Sequence, residues 1–80
     1  MMYANMTEKA LEWMQATCSM TREDTIAYLQ SLTNYRTEQD GNKFFYVMAD
    51  DINGYDHCVL GLVNARVCQA FIDAIKPVLS

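Results

Sequence analysis

The stretch Lys43–Val63 constrains the fold more than any other: two apolar runs, read as strands from Lys43 to about Asp50 and from about His57 to Val63, flank a polar segment containing Asn53-Gly54. Both runs are rich in aromatic and branched residues, and Asn53-Gly54 between them is a strong short-range hairpin signal. In the first run Phe45, Val47 and Ala49 point one way and Phe44, Tyr46 and Met48 the other. The second repeats this, with Cys58, Leu60 and Leu62 on one face and Val59, Gly61 and Val63 on the other. Strands apolar on both faces belong inside a sheet covered on both sides. The sheet therefore needs cover twice, and a face left open would form a patch of the kind that marks an interface.

A first strand over residues 35–39 runs into Asp40-Gly41, a dipeptide suited to a two-residue turn. That turn sets Glu38 opposite Lys43, Thr37 opposite Phe44 and Tyr35 opposite Tyr46. The remaining elements are helices. Thr7 is placed as the cap of a helix over residues 8–18, with Leu11, Met14 and Cys18 on its apolar face and Trp13 at the margin. Residues 1–6 are expected to form a flexible arm. Thr21, with Asp24 three residues on, caps a second helix whose stripe is Ile26, Leu29 and Leu32 and which ends near Thr33-Asn34. Asn64 caps a third helix from Ala65 to Lys76, stopped by Pro77. The order is ααβββα: a single α+β domain over residues 1–80, with a three-stranded antiparallel meander, two N-terminal helices and one C-terminal helix.

The polar cluster Asp50, Asp51, Asn53, Asp56 and His57 is the richest site for chemistry. An EF-hand is excluded, because Gly54 as its invariant glycine puts Ala49 and Leu60 at the first and last ligand positions. A tight Asn53-Gly54 turn sets Asp51 against Asp56, an unfavourable like-charge pair, and Asp50 against His57. A wider solvated loop, a bound cation or a basic group from a partner would each resolve the conflict. Cys58 beside the sole histidine, His57, makes no nucleophile–base pair, since neighbours on a strand point to opposite faces. No catalytic residue, cofactor site or metal site is assigned.

Ten acidic against six basic residues give a net charge of −4, and the basic residues are scattered singly. This argues against nucleic acid as the main partner, because phosphate neutralisation needs clustered Lys and Arg. The three cysteines lack CxxC spacing and are expected as buried free thiols in a reducing cytoplasm. No apolar run is long enough to span a membrane, and the N-terminus lacks the pattern of a signal peptide. The expected function is a small, acidic, non-enzymatic, cytoplasmic protein-binding module, an inhibitor, adaptor or regulator working by surface occlusion, with a homodimer as one form. Size and composition associate it with accessory proteins of phages and mobile elements. Its expected contact residues are Phe44, Tyr46, Met48, Trp13, Asp50, Asp51 and Asp56, the acids steering a protein partner with a basic surface. The alternative is a winged-helix-like DNA-binding transcriptional regulator, from the helix–strand–turn–strand order of residues 21–47. A third is a small metal-dependent or ligand-binding enzyme subunit.

Overall fold

The computed structural model describes residues 2–79; the side chains of residues 2–5, 62 and 63 lie outside that description, and with them the faces expected for Leu62 and Val63. The elements are α1 (Met2–Cys18), α2 (Arg22–Gln30), β1 (Thr33–Asp40), β2 (Phe44–Asp50), β3 (Asp56–Val63) and α3 (Ala65–Leu79). The strands form one antiparallel sheet in the order β1-β2-β3, so the fold is α+β with the order ααβββα. The chain divides into two compact units, one of residues up to Ser31 together with those from Ala74 on, the other Leu32–Asp73.

In the first unit, α1 starts well before the Thr7 cap that the sequence suggests, so residues 2–6, expected as an arm, are helical. Nothing in Met2–Met6 breaks a helix, and Met and Ala are good helix formers. The Thr7 hydroxyl instead donates to the Ala74 carbonyl at 2.6 Å. Ala10, Leu11 and Met14 are buried, but Cys18 is exposed, because the helix stops there. Ser19 takes a φ of 56° and the Met20 amide reaches back to the Gln15 carbonyl at 3.3 Å, the left-handed helix ending usually built on glycine. Thr21 caps α2 as expected, accepting from the Asp24 amide at 3.1 Å. Leu29 and Thr25 are fully buried. The helix ends at Gln30, earlier than Thr33-Asn34, and β1 begins at Thr33. Pro77 does not stop α3: it lies in the last turn, where a missing N–H forfeits one bond, and Gln30 Nε2 holds the Val78 carbonyl at 2.9 Å.

In the second unit, the turn between β1 and β2 is not the two-residue Asp40-Gly41 turn. Asp40 pairs with Phe44 across a three-residue loop, Gly41–Lys43, in which Gly41 takes a φ of 70°. Glycine's freedom at positive φ serves either turn, but the longer loop moves every pair: Glu38 faces Tyr46, Thr37 faces Val47 and Arg36 faces Met48. This shift is odd in parity, so it turns β1 over relative to β2. A bulge between Thr33 and Arg36, where Asn34 has a φ of 58°, bends the start of the strand. β3 carries two further irregularities against β2, around Val59 and around residues 61–62. Val47, Ala49, Val59 and Leu60 are buried, as are Cys68, Phe71 and Ile72 of α3.

The β2–β3 connection is the wider loop, residues 51–55, with Asp50 opposite Asp56 and Ala49 opposite His57. The tight register with Asp51 against Asp56 and Asp50 against His57 does not form. Asp51 instead turns its carboxylate inward and organises the loop.

Candidate functional site: the open face of the sheet

The corrected register decides what shares a face. Phe44, Tyr46 and Met48 of β2 lie with Arg36, Glu38 and Asp40 of β1 and with Asp56 and Cys58 of β3. None of these eight is buried, and Phe44 is 49% exposed, whereas Val47 and Ala49 on the opposite face are fully buried. The second face of β2 is thus open, but it is not the continuous apolar surface that alternation in β2 alone suggests. One apolar strand runs beside a charged one. The physical reason is the edge position of β1, whose charged side chains stay hydrated only on an open face.

Two groups of polar contacts tie this face together, one around Arg36 and Asp50 and one at Tyr46. Arg36 Nε donates to Glu38 Oε2 at 2.7 Å, and its Nη1 donates to Asp50 Oδ1 at 3.0 Å and to the Asn34 carbonyl at 3.1 Å. Asn34 Nδ2 donates to Asp50 Oδ2 at 3.0 Å. Asp50 is therefore held from both sides by its own chain, which relieves its repulsion with Asp56 across the ladder. The Asn34 amide first, and then Arg36, keep the Asp50 carboxyl below its ordinary pKa against the opposing effect of desolvation. In the second group Tyr46 Oη donates to Asp40 Oδ2 at 3.0 Å, and that carboxylate raises the pKa of the phenol. Gly61 makes room for the ring: a Cβ there would lie 3.0 Å from Tyr46 Cδ1.

Between these contacts lies a shallow groove of about 370 Å³ lined by Glu38, Gln39, Asp40, Tyr46, Met48 and Cys58. Partial desolvation pushes the Cys58 thiol pKa up, which keeps it protonated at neutral pH and disfavours a nucleophilic thiolate. His57 pairs with Ala49 and Cys58 with Met48, so the two lie on opposite faces, as the sequence implies.

At the hairpin tip the Asp51 carboxylate accepts from the backbone amides of Asn53 at 2.9 Å and Tyr55 at 3.0 Å, while Oδ2 lies 2.8 Å from His57 Nε2. These bonds, that to His57 foremost, hold its pKa below the ordinary value. The Asp51 amide donates to the Tyr55 carbonyl and the Gly54 amide to the Asp51 carbonyl, each at 2.9 Å. Gly54, at a φ of 84°, supplies the left-handed step. The fixed loop presents Ile52, 96% exposed, and Tyr55, 70% exposed.

The residues expected to contact a partner are therefore distributed unevenly. Phe44, Tyr46 and Met48 come together on the open face. Asp50 and Asp51 are near the tip but engaged by their own chain, and Asp56 is exposed beside them. Trp13, 42% exposed, belongs to α1 in the other unit. Glu38 and Asp40 join the face only through the three-residue loop, and no sequence signal distinguishes that loop from the two-residue turn. Ile52 and Tyr55 did carry a signal, as large apolar residues on either side of Asn-Gly in a turn. Arg22, the sole base on α2, is paired with Glu8 at 2.6 Å, a contact that raises the Arg22 pKa and lowers that of Glu8. Two of the three free thiols, Cys18 and Cys58, are exposed and only Cys68 is buried, contrary to the expectation of three buried ones; β3 turns Cys58 onto the open face.

Among the described residues no group of three or more His, Cys, Asp or Glu side chains is arranged to hold a metal ion, and no helix is long and apolar enough to cross a membrane. No family model, curated protein or solved structure matches the chain.

Proposed function

We propose that this chain is a non-enzymatic protein-binding module that acts as an inhibitor, adaptor or regulator by covering a surface of its partner. The observation that carries this reading is the open sheet face, where Phe44 is 49% exposed beside Tyr46, Met48 and the carboxylates of Glu38, Asp40, Asp50 and Asp56. An apolar strip beside acidic residues suits a basic protein surface: burial supplies affinity, while the charges guide approach and exclude wrong partners. Ile52 and Tyr55 at the tip extend the contact, and their fixed loop lowers the ordering cost of binding. The same sign of charge opposes phosphate backbones. Free thiols at Cys18, Cys58 and Cys68 suit a reducing compartment, and we place the protein in the cytoplasm. Self-association through the open face is included in the reading.

The test compares capture of binding proteins from source-cell lysate by the wild type, Phe44→Ser and Ile52→Ser, each checked for an unchanged circular dichroism spectrum. A specific partner held by the wild type and lost by Phe44→Ser supports the reading. Identical capture by all three, or none by the wild type, overturns it. Sedimentation at micromolar concentration tests self-association, and a monomer at all concentrations removes that element.

A further inference from the structure

We infer that the groove between β1 and β2 receives an arginine side chain from a basic segment of the partner. This inference rests on the protein-binding reading and specifies its chemistry. The groove has an aromatic ring and a thioether, Tyr46 and Met48, next to two carboxylates, Glu38 and Asp40, with Cys58 at its β3 side. Its volume of about 370 Å³ accommodates one long side chain.

The charges within the groove are not equivalent. Glu38 is balanced by Arg36, its Oε2 accepting at 2.7 Å. Asp40 is bonded to the neutral phenol of Tyr46, so its negative charge has no cation beside it in that contact. A cation entering the groove finds Asp40 as its counter-ion, with Tyr46 adjoining.

The chemistry selects arginine over lysine. A guanidinium is planar, stacks on an aromatic face and donates in two directions at once, whereas an ammonium is a compact, strongly hydrated point charge. Here the ring and two carboxylates line one groove with Gln39 and Cys58, and Met48 suits the aliphatic stem. A trimethylated ammonium would need an aromatic cage, and the lining has a single ring.

The experiment titrates the isotope-labelled full chain with the tripeptide acetyl-Gly-Arg-Gly-amide, following backbone amides by NMR, alongside the lysine and citrulline analogues. Saturable shifts centred on residues 38–40, 46, 48 and 58 are expected for arginine, weaker ones for lysine and none for citrulline. Asp40→Asn keeps an acceptor for the Tyr46 hydroxyl but removes the charge, and should weaken arginine binding by about fivefold, the scale of an exposed ion pair. Equal response to lysine, shifts centred elsewhere, or unchanged affinity in Asp40→Asn overturns the proposal. The two readings fail separately. A partner whose capture is lost with Phe44→Ser but retained by Asp40→Asn removes the arginine groove and leaves the protein-binding face standing.

Discussion

His57 Nε2 stands 2.8 Å from Asp51 Oδ2, while the other oxygen of that carboxylate holds the amides of Asn53 and Tyr55. One side chain therefore closes the five-residue loop and anchors it to β3. Because the Asp51 pKa is lowered in the folded chain, its contribution to stability is complete above the unfolded carboxyl pKa. It is lost as the pH falls through the depressed folded value. The protection factors of the Asn53 and Tyr55 amides should fall over that acidic window and stay constant above it. Asp51→Ala should remove protection of both amides at every pH. Asp51→Asn, which keeps a side-chain acceptor, should retain the Asn53 bond and lose the acid dependence.

Thr37 presents a different kind of site. Its hydroxyl oxygen is buried and has no hydrogen-bond partner among the described residues, and the residue opposite is fully buried Val47. An unpaired hydroxyl costs free energy that a methyl group of the same shape does not. Thr37→Val should stabilise the protein by about 1 kcal/mol. For a chain of this length unfolding in one step, that raises the midpoint of thermal unfolding by roughly 4–8 °C. A calorimetric scan showing a lower midpoint would contradict this packing around Thr37.

Gly61 lies against the Tyr46 ring, so close that a Cβ added to it would stand 3.0 Å from Cδ1 and 3.2 Å from Cε1. Gly61→Ala should displace the ring by a few tenths of an ångström and weaken its hydrogen bond to Asp40. Ultraviolet titration checks this directly: the Tyr46 phenol should lose part of its upward pKa shift.

Ser19 is held at a φ of 56° where α1 ends, a conformation that glycine adopts without steric cost. Ser19→Gly should stabilise the chain by roughly 0.5–1 kcal/mol. Urea unfolding should show a higher midpoint with an unchanged slope.

Element order and kind were legible because they rest on local signals: the Thr21 and Asn64 caps, the 3.6-residue spacing of Leu11 with Met14, and the apolar runs either side of Asn53-Gly54. Register was not, because Gly41 serves a two-residue or a three-residue loop equally well, and the choice depends on which face of β1 can stay wet. That one ambiguity concealed the site. With Thr37 opposite Phe44, Glu38 and Asp40 sit away from Tyr46; with Thr37 opposite Val47, they lie beside it. Alternation in β2 showed that a second apolar face existed, but not that Arg36 would cross from β1 to relieve Asp50. The α1 boundary was missed for the converse reason: Thr7 has the chemistry of a cap, but its hydroxyl is committed to the Ala74 carbonyl, 67 residues away.

The bulge at Asn34 and the alternating Arg36, Glu38 and Asp40 also govern how the molecule behaves when crowded. β1 is an edge of the sheet and eight residues long, enough to template another strand. Its bent start opposes that addition in any register, and a second β1 laid parallel and in register would also bring Arg36, Glu38 and Asp40 against their own copies. The bulge at Asn34 therefore works against fibre growth from this edge, because the bent backbone cannot present a straight row of amides and carbonyls to a second strand.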